Sequence, residues 1–132
     1  MVAAVCGWHE EHGSAVAAIE RRLAGRHRLV SPAHAITEAY AVLTRLPAPH
    51  RLAPADAWSL VSSNFVEGHS VVGLAAAGQI AMLRGLAASG HGGRRTYDAL
   101  IAATASHAGV DELLTFNPKH FEQAAGPRVV GL

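Results

Sequence analysis

Cysteine is nearly absent from this sequence: Cys6 stands alone, which excludes an internal disulfide and any multi-cysteine zinc site. Between Val5 and Gly7 it reads as a small packing residue rather than a nucleophile. Long apolar runs are missing too. Half of the residues are hydrophobic, yet no stretch reaches the roughly 18 residues of a membrane span. No basic segment followed by an apolar one and a cleavage site marks a secretory signal. A soluble cytoplasmic protein without a membrane partner is the expectation. Charge of one sign is also scarce. The formal net charge of +1 gives little whole-molecule attraction to nucleic acid. Lysine is rare, with ten of the 11 basic residues being arginine, and these cluster at Arg21, Arg22, Arg26 and Arg28 and again at Arg94 and Arg95. Local phosphate contacts remain open at such clusters, beside the plainer reading of solvated surface. The length of 132 residues suits one domain with a real core.

What is present centres on the run from Arg94 to Ala105. Its spacing predicts a helix with Thr96 as N-cap, Asp98 in the first turn, and an apolar, small-residue body closed at Gly109. An anion near the free amides of a helix start gains about 0.3–1 kcal/mol from the dipole, so Asp98 reads in part as a carboxylate that supports the cap. The nearly uncharged rod that follows predicts close packing, and a carboxylate at the mouth of such a helix usually has a partner.

Short apolar strands alternate with helices along the chain. Ser14 is placed to cap a helix over 15–24 that closes at Gly25, and His9 and His12 with Glu10 and Glu11 read as a solvated helix start, not a His-Glu-x-x-His metal motif. A strand over 27–30 is followed by Ser31-Pro32, which read as cap and first residue of a helix over 32–45. In that helix Ile36, Tyr40 and Leu43 share one side, and Glu38 lies on another, mostly apolar, side. Glu38 is therefore the second acid to explain, its plain alternative being an exposed residue or a partner of Arg45. Pro54 opens a helix with Trp58, Val61 and Phe65 as its stripe. A strand over 70–74 precedes a helix over 75–88 with Ile80, Leu83 and Ala87 inward. Ser89 to Gly93 is a linker that lacks the lysine-serine/threonine ending of a phosphate loop. A strand over 110–116, Asn117-Pro118 opening a short helix over 119–125, and a strand over 128–131 complete the chain. This alternation predicts an α/β fold, a parallel sheet covered by helices on both faces, with its site outside the carboxyl ends of the strands near Thr115 and Asn117.

Three pieces carry a resemblance: Ser31-Pro32 leading to the helix with Glu38, the run Tyr97 to Ala105 with Asp98, and the ending Leu113-Leu114-Thr115-Phe116-Asn117-Pro118-Lys119-His120-Phe121. Together they resemble the PIN domain, and within it the VapC-type ribonuclease toxins of bacterial toxin–antitoxin pairs, over essentially the whole chain. The resemblance implies a single PIN-like domain over 1–132 that is N-terminally incomplete. Met1 to Cys6 match the helix that in the family follows a first strand and its aspartate. It further implies Glu38 and Asp98 as ligands of magnesium or manganese, Asn117 as a weaker ligand or water positioner, and an aspartate of the family replaced here by Asn117 or His120. Thr96 and Thr115 would support the site, and Arg94 or Arg95 would touch the RNA backbone.

The function this resemblance implies is a metal-dependent endoribonuclease toxin that cleaves RNA and is neutralised by a cognate antitoxin, with a homodimer as the common assembly. The reading from another class is a catalytically silent PIN-like module that binds antitoxin or nucleic acid. An unrelated small α/β enzyme using Cys6 or a His/Glu pair has no supporting motif.

Overall fold

The computed structural model describes residues 1–121 and 126–132, and the chain divides into two compact units, Met1–Val71 and Val72–Leu132. The first unit holds helices α1 (Val2–Val5), α2 (His12–Ala24), α3 (Ala33–Arg45) and α4 (Pro54–Phe65) and strand β1 (Val30–Pro32), which pairs with β2 (Ser70–Val72), a strand that starts in this unit and ends at its boundary. The second holds α5 (Ala76–Ala88), α6 (Arg95–His107), β3 (Glu112–Thr115), a single 3₁₀ turn (Pro118–His120) and β4 (Arg128–Gly131). The chain is α/β, as its alternation of elements predicts. Strands pair in twos among the described residues, and β3 runs parallel to β4 in the register Glu112 to Arg128 and Thr115 to Gly131. No helix among the described residues is long and apolar enough to cross a membrane.

The first core is built where α3 packs on α4. Residues four apart share a helix face, so Ala39 and Leu43 on α3 meet Ala57, Val61 and Phe65 on α4, with Ile36 and Cys6 joining them. Leu43 and Val61 are fully buried, and burial of such a side chain is worth about 1.5–3 kcal/mol each. Trp58 stands one residue away from this stripe, about 100° around the helix, and is half exposed instead of inward. Pro54 occupies the first turn of α4 as predicted, where its missing N–H costs nothing.

Helices α2 and α6, like α5 with Gly90 at φ +71°, end in the same device. At α6, Val110 N–H donates to Ala105 O and Gly109 N–H to Ser106 O, with Gly109 at φ +62°. At α2, His27 N–H donates to Arg22 O and Arg26 N–H to Leu23 O. Both satisfy the last carbonyls of the helix through a left-handed residue. In α2 that residue is Arg26, at φ +61°, because Gly25 falls one position too early.

Several predicted caps are displaced. Ser31 lies in β1 and is buried, with Pro32 taking the extended cap position of α3, so the helix begins at Ala33. The helix carrying Asp98 starts at Arg95, which leaves Thr96 inside its first turn with no capping hydrogen bond. The α2 helix starts at His12, ahead of Ser14. Strand β1 is likewise shifted from 27–30 to Val30–Pro32. The helix predicted over 119–125 is a 3₁₀ turn as far as His120, and residues 122–125 lie outside the described residues.

In the second unit a small core joins Ala105, Leu113 and Phe121, with Ile101, Ala102, Val110 and Val129 packed against it. Helix α5 packs beside α6 but buries none of its residues, and Ile80 and Leu83, predicted inward, are half exposed. Its apolar residues encircle the helix, so no single stripe specifies an inward face.

Candidate functional site

Each acid singled out from the sequence sits on a helix. Glu38 is on α3, in the first unit, and is exposed; the helix is buried along Ile36, Ala39 and Leu43 and not along the side of Glu38. The apolar residues beside it, Ala41 and Val42, are themselves exposed or half-buried, which corrects the expectation of a helix buried on two sides. Near Glu38 lies the amino group of Met1. Burial pushes this ammonium below its ordinary range, and the carboxylate of Glu38 opposes that shift, followed by Cys6. Ser31, the middle residue of β1, is 1% exposed, and its Oγ has no hydrogen-bond partner among the described residues.

Cys6 is buried in the first core, as a packing residue should be. Burial raises its thiol above the ordinary range, the amino terminus pulling the other way. A protonated, enclosed thiol is a poor nucleophile.

Asp98 lies in the first turn of α6, in the second unit, and is partly buried, with 26% of its side chain exposed. Its Oδ2 is 3.2 Å from Nδ1 of His120, the last residue of the 3₁₀ turn after β3. The contact depends on how the chain leaves β3. Thr115 ends the strand, and its Oγ1 accepts from the backbone N–H of Asn117 at 3.1 Å. His120 N–H then donates to Asn117 O and Phe121 N–H to Pro118 O, curling the segment back, while the Phe121 ring anchors it in the core. The backbone of Leu132, just past β4, donates to Thr115 O. Asn117 occupies the cap position of the turn, but its side chain makes no capping bond; Thr115 supplies the polar contact instead. Arg94 and Arg95 are exposed at the start of α6.

The second unit thus brings Asp98 and His120 together beside the end of β3, and Asn117 belongs to the same turn as His120. Glu38 belongs to the first unit. No group of three or more His, Cys, Asp and Glu suited to a metal ion occurs among the described residues. The sequence contained His120 as one substitute for a family acid, but its pairing with Asp98 is set by the turn geometry.

The PIN domain family matches residues 1–127. The chain belongs to the PIN-domain family. It is also similar to "Ribonuclease VapC40" of Mycobacterium tuberculosis, in the strains CDC 1551 and H37Rv. The identity is 39% over 115 residues, which cover 87% of this chain and 79% of the relative. No solved structure matches the chain significantly.

PIN-domain nucleases of the VapC type are generally dependent on divalent metal, and the donor chemistry at Asp98 is the test of fit. A carboxylate oxygen suits magnesium and manganese alike, since both are hard enough to favour oxygen and bind through one or two carboxylates while keeping several waters. An imidazole nitrogen beside it suits manganese better than magnesium. Asp98 and His120 supply one carboxylate and one imidazole there, and among the described residues no third acid, histidine or cysteine joins them in a group that could hold a metal ion.

Proposed function

We propose that this PIN-domain chain is a ribonuclease toxin, a divalent-metal-dependent endonuclease that cleaves RNA phosphodiester bonds and is held inactive by a cognate antitoxin. The observation that carries this reading is the 39% identity to a VapC ribonuclease across most of both chains. The proposed ligands of magnesium or manganese are Glu38 in the first unit and Asp98 in the second, and Asn117 would ligate through its amide oxygen or orient a water. A bound divalent ion supplies an activated water and offsets charge that develops on the phosphate.

The remaining work falls to the chain itself. Asp98 and Glu38 provide negative charge that repels RNA unless it is neutralised, which makes the acids a switch as well as a grip. Thr115, through its hydroxyl, fixes the backbone of Asn117 and so the direction in which that side chain leaves the strand. Arg94 and Arg95, exposed one turn before Asp98, would touch the RNA backbone and position it without reading its sequence. An antitoxin with a helix ending in a cation would suit the same acids, and a homodimer is the proposed assembly.

The test is cleavage of a structured RNA panel with magnesium or manganese, against EDTA, by this chain and by one extended upstream with an aspartate-bearing strand. Metal-dependent cutting by either chain, stopped by EDTA, supports the nuclease. A second reading is a silent PIN-like binding module, favoured by the lack of a three-member acid or histidine cluster among the described residues. Folded chains that bind no manganese and cut nothing, yet bind an antitoxin, would establish that module instead.

A further inference from the structure

Positive charge is concentrated where α2 gives way to β1. The eight residues from Arg21 to Arg28 hold four arginines and no acid, and since the whole chain nets only +1, the remainder carries a net charge of −3. Arg21 lies in the last turn of α2, and Arg26 and Arg28 in the connection that follows. His27 N–H donates to Arg22 O and Arg26 N–H to Leu23 O, which folds the start of this connection back against the turn that carries Arg21. Arg22 is engaged within the helix, its Nη1 donating to Ala18 O. Arg21, Arg26 and Arg28 are exposed and have no ion pair among the described residues. Glu20 is next in sequence, but its helical neighbours three and four residues on are Leu23 and Ala24.

Arg26 adds a second observation. Six described residues have positive φ; five are glycines, and the sixth is Arg26 at +61°. That conformation is costly for a residue with a Cβ, and arginine lacks the short polar side chain with which asparagine or aspartate offsets the cost locally. Capping alone is served better by glycine, as Gly109 shows at α6. A guanidinium kept at a strained position points to use of the side chain. The helix dipole accounts for Arg21 in the last turn, whereas Arg26 and Arg28 lie beyond the helix.

We propose that Arg21, Arg26 and Arg28 form a docking patch for the phosphate backbone of RNA, additional to Arg94 and Arg95 at the head of α6. The inference rests on the ribonuclease reading above and deepens it by naming a second substrate-binding surface. A guanidinium pairs with phosphate oxygens through two parallel N–H donors. Such contacts hold the RNA in place without reading its sequence. With the rest of the chain net negative, this patch is where the field of the protein attracts a polyanion. RNA suits three unpaired cations within eight residues because it presents a charge at every nucleotide, whereas a protein segment must place its acids residue by residue.

Binding of a fluorescein-labelled RNA hairpin by the full chain in EDTA, followed by anisotropy at graded salt, tests the patch without cleavage. Each phosphate contact contributes about 0.7–0.9 to the slope of log affinity against log salt, which is roughly fivefold at about 0.15 M salt. Arg26→Gly is expected to weaken binding about fivefold while raising the melting temperature, a combination that a merely structural role of Arg26 does not produce. Arg21→Gln, Arg26→Gln and Arg28→Gln combined should weaken binding by about tenfold to a hundredfold and lower the slope by about two, with an unchanged circular-dichroism spectrum. In cleavage assays with manganese the combined variant should raise KM on long RNA and leave kcat unchanged. Unchanged affinity and slope in the combined variant overturn the inference alone and leave the nuclease; if that variant instead loses binding of a polyglutamate peptide, the arginines serve an acidic protein segment. Wild type that binds RNA through the patch yet cuts nothing with either metal removes the nuclease reading and leaves the patch. Wild type that binds no RNA overturns both.

Discussion

His120 reaches Asp98 across the second unit, its Nδ1 3.2 Å from the Oδ2 of a carboxylate that sits in the first turn of another helix. The contact is partly exposed on both sides, so its worth to stability is small, about 0–1 kcal/mol. It can therefore be altered without endangering the fold.

That separation of roles makes Asp98→Asn the informative variant. It is expected to reduce RNA cleavage by at least about a hundredfold, with a change in unfolding free energy below about 1 kcal/mol. Glu38→Gln, on an exposed helix side, should behave the same way. Cleavage assays paired with urea unfolding check both, and full activity in either variant removes that acid from the site.

Cys6 provides a measurement of the first core. It is buried among Leu43, Val61 and Phe65, and its thiol is raised by burial. The native protein should react with a thiol reagent far more slowly than the urea-unfolded chain. The sign of the pH effect follows from the raised value. The unfolded thiol loses its proton first, so the folded state holds more protons through the alkaline range and stability falls as pH rises there. Denaturation midpoints measured from neutral to alkaline pH should drop, and Cys6→Ala should flatten that drop.

Ser31 carries a buried hydroxyl without a partner among the described residues. Such a group costs about 1–3 kcal/mol when left unsatisfied, so Ser31→Ala should be neutral or stabilising by up to about that amount. A clear loss of stability on thermal unfolding would mean that the hydroxyl is satisfied in solution.

Arg26 holds the left-handed position at the end of α2 that Gly109 holds at the end of α6. The conformation costs a side-chain-bearing residue about 1–2 kcal/mol, and the extra freedom of glycine in the unfolded chain returns part of that. Arg26→Gly is expected to raise stability by about 0.5–1 kcal/mol. A lower melting temperature would show that the arginine side chain contributes more than its backbone strain takes away.

Periodicity made the α/β class and the bodies of the helices legible, because apolar spacing and proline placement act locally. Pro54 at the head of α4 and Gly109 at the foot of α6 fell where their backbone preferences require. Strand β4 was bounded correctly at Arg128 and Gly131. Caps were less legible. Ser31, Thr96 and Asn117 are all good capping residues, yet none caps, since each position is decided by its neighbours: β1 draws in Ser31, α6 begins before Thr96, and Thr115 supplies the contact at Asn117. Trp58 and the outward residues of α5 show the limit of reading burial from hydrophobicity, for the sequence tells which side chains favour burial but not which surface arrives to cover them. The acids Glu38 and Asp98 stood out as residues to explain, whereas the pairing of Asp98 with His120 depends on a turn whose path is fixed by β3, β4 and Phe121.

The last strand gives that turn its address. Leu132 donates to Thr115 O, and a Cβ at Gly131 would approach Pro118 Cγ to 3.3 Å, so the backbone of β4 lies directly against the segment that carries His120. The turn that carries His120 is thereby seated on a backing strand, so its path is set apart from the Asp98 contact. The glycine at position 131 thus acts as a spacer of zero thickness. A side chain there would act as a shim against the Pro118 ring, which would have to give by a few tenths of an ångström.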